Sequence, residues 1–475
     1  MTEALGTSTG TPSARLRHTG PVRAARDFCL APARPVGAPF VAFEGRYGRM
    51  FPELAPLEVE NSRLLGLGAE GAASDGSDVE DEGSKPAGWP VFGQLVAHDI
   101  TADRSPLQER ADVSVTQSFR SPRANLECVY GAGAASPYLY RRDDPASFLL
   151  GEGDVPRNSE GVALLGDARN DVHVLISQLH YAFLLVHNLL VARLREDGVP
   201  EAELFMDARR ATMWHYQWIL VHEFLPSLVG PGLVDEVLRA RPRHYQPDGE
   251  PFIPFEFADA AFRYGHSQMR ERYRVNESGE PVRLFPGLVG FRPVPPALRV
   301  DWSLLFDVPG HPPALRANRI DGRLPRSLIR LPLAITGEVS VEAYHSLASR
   351  DLQRGQAIGL PSGESVARAM GIEPLERDEI GLAGSGWADE TPLWFYILRE
   401  ADVHEDGDRL GSVGGRIVAE VLIGIVKADA ESFLAKDPEW VPTLADGDES
   451  GWGIGPLLST VTSGQGGLAP PEASS

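Results

Sequence analysis

The chain has few of the features that mark a disulfide-rich, zinc-thiolate or membrane protein. Only two cysteines occur in 475 residues, Cys29 and Cys128, and they form no CxxC pair, so neither a disulfide framework nor a thiolate zinc site is expected. No stretch reaches the roughly 18–20 uninterrupted apolar residues of a transmembrane helix, and residues 1–20 lack the apolar core of a secretory signal. The sequence therefore predicts a cytoplasmic protein without a transmembrane segment.

Basic residues are also scarce relative to acidic ones. With 45 Lys and Arg against 66 Asp and Glu, the formal net charge is -21. This charge repels polyphosphates and anionic lipid, which argues against a nucleic-acid partner. The hydrophobic fraction of 43% and the charged fraction of 23% are those of a globular chain that can bury a sizeable core.

Apolar residues recur mainly at three- and four-residue steps, which is the spacing of helices. The pattern is clearest over residues 171–196, which are apolar nearly all round and should form a central helix. Val and Ile do not alternate with polar residues over any long stretch, so strands should be few and short. Further helices are expected from about residue 90 and over residues 208–225, 255–272, 362–370, 391–400 and 414–429.

These patterns predict a mainly α fold with a single large helical domain at residues 89–461. Residues 1–88 should form an irregular N-terminal arm laid over the core, and its last part, residues 66–88, should be a solvated and mobile acidic loop. Residues 462–475 are rich in Gly, Pro and Ser and are expected to form a disordered tail. The sequence says nothing about the oligomeric state.

Four polar residues have the character and spacing of catalytic groups. Gln94 and His98 are four residues apart in one predicted helix, so both side chains lie on the same face. A neutral imidazole can take a proton from a substrate and return it, and a fixed guanidinium such as that of Arg169 stabilises developing negative charge. His266 is expected late in the helix at 255–272, behind a glycine that leaves room for a flat ring.

The chain contains seven blocks in this order: GRMFP at 48–52, FGQLVAHDIT at 92–101, RSPRANLECVYG at 120–131, GDARN at 166–170, LVHN at 185–188, FRYGH at 262–266 and QRGQAIGLPSG at 353–363. In these blocks it resembles the animal-type haem peroxidases of the peroxidase-cyclooxygenase superfamily, most of all its bacterial members. The resemblance extends from about residue 46 to residue 434. It implies a helical haem peroxidase domain that reduces hydrogen peroxide and oxidises a small reducing substrate.

The resemblance also implies a role for each candidate residue. His98 matches the distal histidine, Gln94 its neighbour above the iron, and Arg169 the distal arginine. His266 matches the proximal ligand of the iron of haem b.

Three further residues match positions around the proximal ligand. Arg263 and Arg354 correspond to residues that pair with the haem propionates. Asp351 stands where the animal enzymes have an asparagine bonded to the proximal histidine. A carboxylate there would enrich the iron in electron density and lower its reduction potential. Such an iron favours one-electron oxidation of phenols, anilines or easily oxidised halides over oxidation of chloride.

Two other features of the family concern a calcium ion and the attachment of the haem. Ala97 and Val172 replace the acidic residues that form ester links to haem, and His173 replaces a methionine that forms a sulfonium link, so we expect a non-covalent haem b. The family's calcium loop of hard oxygen donors falls on Asp99, Ser121, Arg123 through its carbonyl, Asn125 and Glu127. Asn125 replaces the usual aspartate of the family, which weakens the expectation of a bound ion.

Two alternative functions stay open. Cyclooxygenases and fatty-acid dioxygenases of the superfamily use a tyrosyl radical three residues before the proximal histidine, where this chain has Arg263, and Tyr264 is one residue too close. A fatty-acid oxygenase is nevertheless the second hypothesis, because the sequence does not define the substrate channel. A non-catalytic haem-binding protein is the third hypothesis, and the joint presence of the four catalytic candidates argues against it.

Overall fold

The structure is a computed structural model that describes residues 45–77, 81–102, 117–118, 120–131, 136–339, 341–382, 387–444 and 452–462. Residues 1–44 of the expected arm, residues 78–80 of the acidic loop and residues 463–475 of the expected tail lie outside the described residues. Within the described residues the fold is mainly α, as the sequence predicts. The helices are α1 Asn61–Gly68, α2 Trp89–Ile100, α3 Glu127–Tyr130, α4 Val174–Glu196, α5 Glu201–Ile219, α6 Leu225–Val229, α7 Pro231–Arg239, α8 Phe255–Ala258, α9 Gly265–Gln268, α10 Arg326–Ile329, α11 Leu333–Thr336, α12 Leu347–Ala357, α13 Gly363–Ala369, α14 Arg377–Ile380, α15 Leu393–Glu405, α16 Ser412–Ala428, α17 Phe433–Lys436 and α18 Ile454–Thr462.

The strands in the described residues are short, and they form three small sheets. The strands are β1 Gly45–Gly48, β2 Glu82–Pro86, β3 Gln117–Ser118, β4 Phe252–Pro254, β5 Arg272–Tyr273, β6 Val282–Arg283 and β7 Arg316–Asn318. Strand β1 is the centre of one sheet, antiparallel to β3 and parallel to β4. The other two sheets are the antiparallel pairs β2 with β7 and β5 with β6.

Helix α4 is the centre of the core and packs against α2, α5 and α18. Among the described residues it is the one helix long and apolar enough to cross a membrane by length and composition, but 94% of its apolar window is buried inside the protein. That burial is the property of a core helix. The helix begins three residues later than predicted, because the His173 side chain accepts a hydrogen bond from the Ile176 backbone and caps it.

The expectation of a solvated loop at residues 66–88 is wrong over most of its described part. Helix α1 continues to Gly68, and strand β2 occupies Glu82–Pro86. Between them, Ser74 is fully buried and the Ser74 carbonyl accepts the Leu324 backbone N–H. Backbone pairing with distant residues offsets the low hydrophobicity of this segment, and a local composition pattern does not report such pairing.

The single helix expected at residues 255–272 is also wrong, because the chain there is broken into short turns. Helix α8 ends before Asp259, and Ala260 leaves the helical region with φ of −136° and ψ of −80°. A 3-10 turn at Ala261–Arg263 then leads into the four-residue helix α9, which carries His266. His266 is therefore in a short helix held by tertiary contacts.

A close backbone approach at Gly290 holds the segment that precedes helix α4. The Gly290 N–H donates to the Val172 carbonyl at 3.0 Å, and a Cβ at residue 290 would lie 1.8 Å from the Asp171 carbonyl oxygen. Any side chain there must push the two backbone segments apart.

We expect Gly290→Ala to lower the free energy of unfolding by ~1–3 kcal/mol, because the added methyl meets backbone atoms that cannot rotate away. Gly232→Ala is the matched control, since no atom lies within 4 Å of its added Cβ and the residue is in helix α7. That control should be neutral or stabilising by up to ~1 kcal/mol. Urea unfolding of both variants measures the difference, and equal stabilities would contradict the prediction.

Candidate active site

One cavity of about 330 Å³ collects the main predicted site residues. Gln94, His98 and Arg169 line it together with Arg263 and His266. Much of the remaining wall is apolar. A larger cavity of about 750 Å³, beside helix α18, contains none of the predicted site residues. The apolar part of the smaller cavity includes Phe257, Phe262, Leu284, Phe285, Leu328, Leu331, Ile335 and Leu347.

His98, near the end of helix α2, is held by an amide. Its Nδ1 lies 2.7 Å from Asn170 Oδ1, and the Asn170 Nδ2 lies 2.9 Å from His180 Nδ1. Burial, with the nearby positive charge of Arg169, lowers the pKa of His98 to about 3. The imidazole is therefore neutral near pH 7, and Nδ1 carries the proton that it donates to Asn170. Its Nε2 is left as a proton acceptor.

Gln94 lies one turn before His98 and is in contact with the cap residue of helix α4. Its Oε1 lies 2.8 Å from His173 Nε2. Burial lowers the pKa of His173 to about 3, so this imidazole is neutral as well. Both cavity-lining polar residues of helix α2 are thus hydrogen-bonded to the segment that follows Arg169.

Arg169 lies in a 3-10 turn and is bound to Asp167 by two hydrogen bonds, 3.1 Å from Nε and 2.8 Å from Nη2. Its Nη2 also donates to the carbonyls of His98 and Thr101, at 2.9 and 2.6 Å. Asp167 in addition pairs with Arg120 at 2.7 Å. Burial opposes ionisation of Asp167, but Arg169 and Arg120 hold its pKa well below the ordinary range.

His266 faces the same cavity, and a buried carboxylate binds its Nδ1. Asp351 Oδ2, in helix α12, is 2.5 Å from that nitrogen, which is the contact expected from the sequence. Asp351 Oδ1 accepts a hydrogen bond from Arg263 at 3.0 Å. Although burial opposes it, the charges of His266 and Arg263 lower the pKa of Asp351. The Nε2 of His266 is left for a ligand.

The two arginines matched to propionate positions share a second buried carboxylate. Asp259 Oδ1 accepts from Arg263 Nη2 at 3.0 Å and from Arg354 Nε at 2.8 Å. Arg263 lines the cavity, whereas Arg354 is absent from the lining. In this structure both guanidinium groups are therefore bound by protein carboxylates, and their role with propionates stays a prediction.

Four residues of the expected calcium loop, Asp99, Ser121, Asn125 and Glu127, use their side-chain oxygens in internal hydrogen bonds. The buried Asp99 carboxylate accepts the N–H groups of Leu126 and Cys128, and burial raises its pKa to about 7. The Ser121 hydroxyl donates to Glu127, the Asn125 side chain accepts the Glu127 N–H, and Arg123 lies 3.9 Å from Asp429. Within the described residues, no group of three or more His, Cys, Asp or Glu side chains has the arrangement of a metal site.

Tyr264 also lines the cavity and is buried, with 2% of its surface exposed. Its hydroxyl oxygen lies 3.3 Å from the point where a Cβ on Gly93 would stand. Burial raises the pKa of this phenol. The phenol group therefore reaches the wall formed by helix α2.

Several contact residues were missed by the sequence interpretation. Asn170 and Asp167 flank Arg169 in the GDARN block, so their adjacency to a catalytic candidate was a usable signal. Asp259 lies four residues before Arg263, which is the spacing of an ion pair within one helix. His173 was noted as a departure from the family, but its contact with Gln94 depends on tertiary structure.

A model of the family described as "Animal haem peroxidase" matches residues 138–379, which is just over half of the chain. Peroxidase mlt-7 of Caenorhabditis elegans is 27% identical over 216 residues, covering 44% of this chain and 28% of that protein. Human lactoperoxidase is 27% identical over 211 residues, covering 40% of this chain and 28% of that protein. The chain thus spans less than half the length of these curated relatives.

Solved structures with a similar fold include a peroxidase and a fatty acid alpha-dioxygenase. Peroxidase A from Dictyostelium discoideum superposes with a TM-score of 0.62 at 16% identity, over 90% of this chain and 95% of that one. A fatty acid alpha-dioxygenase from Oryza sativa superposes with a TM-score of 0.56 at 13% identity, over 81% of this chain and 74% of that one. At these identities the likeness concerns the fold alone. Because the family model matches just over half of the chain, including His266, the chain belongs to the animal haem peroxidase family.

Proposed function

We propose that this protein is a haem peroxidase that reduces hydrogen peroxide and oxidises small organic donors such as phenols and anilines, or easily oxidised halides. One observation carries the proposal: His98 and His266 line the same cavity, and the groups that contact their Nδ1 atoms differ in charge. An amide holds His98 and a buried carboxylate holds His266. A neutral base and a strongly donating ligand are the two settings that peroxide reduction at a haem requires.

The cavity residues fit a haem b whose iron would be bound by His266. Its Nδ1 is occupied by Asp351, so Nε2 is the nitrogen available to the metal. The haem supplies the redox-active iron at which peroxide is reduced. Arg263 lies at the cavity wall, and both Arg263 and Arg354 donate to Asp259. These two arginines would hold the haem propionates if the propionates displaced Asp259.

Three side chains act on the peroxide in this proposal. His98 Nε2 would take a proton from one peroxide oxygen and return it to the other, which would leave as water when the O–O bond breaks; a bound haem would supply the two electrons for that cleavage. Asn170 keeps the other nitrogen protonated during this exchange. Arg169 supplies positive charge beside the cavity, and the backbone carbonyls of helix α2 fix its position.

The other expectations from the sequence extend the proposal. Ala97 and Val172 line the cavity and have no carboxyl group, which supports a non-covalent haem. A calcium ion at the Asp99 loop would have to replace internal hydrogen bonds with metal contacts, and it stays a prediction. The bacterial affiliation, the cytoplasmic location and the division into arm, domain and tail stay predictions as well.

A fatty-acid dioxygenase is the second candidate function, and two observations favour it. The fold is similar to that of the Oryza sativa enzyme, and Tyr264 lines the cavity beside an apolar wall. Against it, residue 263 is an arginine bound to Asp351 and Asp259. A non-catalytic haem-binding protein is the third candidate.

The first prediction concerns His98. With haem b bound, the wild-type protein should consume hydrogen peroxide in the presence of a phenol, and His98→Ala should slow this reaction by ~10²–10⁴-fold because the proton acceptor is lost. His404→Ala, at an exposed histidine, should change nothing. Stopped-flow measurement of peroxide consumption tests both variants.

Other outcomes of the same assay identify the competing functions. Haem binding without peroxide consumption would support a non-catalytic protein. Oxygen uptake with linoleate that Tyr264→Phe abolishes would support the dioxygenase and contradict the proposal.

The proximal carboxylate should set the reduction potential of the iron. We expect Asp351→Asn to raise the ferric/ferrous midpoint potential, because a neutral amide donates less electron density through His266. Asp248→Asn, at an exposed position, is the control and should leave the potential unchanged. Spectroelectrochemical titration measures both, and an unaltered midpoint in Asp351→Asn would refute the role of this contact.

The attachment of the haem can be tested by extraction. Because neither Ala97 nor Val172 can form an ester, acid–acetone should remove all of the haem from the wild-type protein. Val172→Glu places a carboxyl at the cavity wall, so this variant, once exposed to peroxide, shows whether an ester link to the haem can form there. Haem retained by the wild-type protein would contradict non-covalent binding.

A further inference from the structure

His173 makes two hydrogen bonds in which its ring nitrogens have different roles. As the cap of helix α4, its Nδ1 accepts the Ile176 backbone N–H at 3.2 Å. Its Nε2 lies 2.8 Å from Gln94 Oε1. The residue is 4% exposed, so water does not compete freely for either nitrogen. Nothing in the catalytic scheme above uses this histidine.

The tautomer of His173 follows from the capping bond. A backbone N–H can only donate, so Nδ1 must be the bare nitrogen. The neutral ring then carries its single proton on Nε2, and that nitrogen must donate to Gln94. The Gln94 atom that faces His173 is therefore its carbonyl oxygen, and its NH2 group is left for the cavity that Gln94 lines.

We propose that His173 is a positioning residue that orients the Gln94 amide so that its NH2 group donates a hydrogen bond to a ligand in the cavity. The inference rests on the proposed function, because the ligand would be an acceptor bound at the haem, such as a peroxide oxygen or a small anion. A free glutamine can present either end of its amide. His173 makes one end unfavourable, because turning the NH2 towards its Nε2–H would place two donors together.

The orientation complements that of His98. Asn170 leaves His98 with a bare Nε2, which accepts, while His173 leaves Gln94 with an NH2, which donates. Hydrogen peroxide has both a proton to give and lone pairs to share. Two neighbouring side chains, four residues apart in helix α2, thus offer one acceptor and one donor to the same small ligand.

Two substitutions separate positioning from helix capping. His173→Asn keeps an acceptor at the place of Nδ1, and asparagine is a favourable cap residue, but its side chain is too short to reach Gln94. His173→Gln keeps a donor near the place of Nε2 and loses the cap. Gln94→Leu removes the amide altogether and gives the size of its contribution.

The probe is fluoride binding to the ferric, haem-loaded protein, since fluoride is an anion that accepts hydrogen bonds. We expect Gln94→Leu and His173→Asn each to weaken fluoride binding by ~10-fold, the effect of losing one hydrogen bond to an anion. His173→Gln should retain wild-type affinity with a lower Tm, and His173→Asn should have no further effect in the Gln94→Leu background. Unchanged affinity in either Gln94→Leu or His173→Asn would overturn the proposal.

A second measurement does not depend on haem. Long-range 15N–1H NMR of the histidine-labelled full chain reports the tautomer of His173, with the signal assigned by its loss in His173→Asn. We expect a proton on Nε2 and none on Nδ1, and the opposite tautomer would overturn the proposal. If the wild-type protein bound no haem, the proposed function would fail, and this measurement would still decide the orientation of Gln94.

Discussion

The distal half of the cavity depends on the buried carboxylate of Asp167. It binds Arg169 through two hydrogen bonds and also pairs with Arg120, which in turn pairs with Glu127, so the Asp167 charge is shared between two guanidinium groups. Removing one partner of such a buried pair leaves an uncompensated charge and costs ~3–5 kcal/mol. The anchored Arg169 in turn binds the carbonyl end of helix α2, where cations are favoured by the helix dipole. The position of His98 follows from that contact.

His98 and His266 differ in the group that contacts Nδ1, and this difference suits them to different chemical roles. The neutral Asn170 amide accepts a hydrogen bond from His98 Nδ1 but does not favour a second proton on the ring, so Nε2 stays available for proton exchange. Asp351 is charged and buried, and it strengthens the donor character of His266. Arg263 offsets part of that charge, so the carboxylate is shared between a cation and the imidazole. In the proposed haem complex, the effect of Asp351 on the iron would therefore be smaller than that of an isolated carboxylate.

Sequence periodicity predicted the longest helices and the seven-residue α13, but it missed α12 and most of the short helices. Apolar residues recur along all 23 residues of α4, so the helical period is clear from the sequence. At residues 255–272 the helix is broken at Ala260, whose dihedral angles lie outside the helical region, and Arg263 Nε donates to the Ala258 carbonyl across the break. Motif spacing and the family resemblance identified polar side chains that line the cavity, because their types are chemically distinctive: Gln94, His98, Arg169, Arg263 and His266. They did not find Asn170 or His173 as partners, because the contacts of these two side chains join residues 72 and 79 positions apart.

The fold by itself does not decide between peroxide reduction and fatty-acid oxygenation, since it is similar to proteins of both names. The family match begins at residue 138 and so excludes Gln94 and His98. The distal site must therefore be judged from its contacts. Each of its side chains is held in one hydrogen-bonding orientation by the segment from Asp167 to His173, and an enclosure for an apolar chain would need no such control. Donor and acceptor groups fixed around a small volume favour a small polar ligand, and this supports peroxide as the proposed substrate.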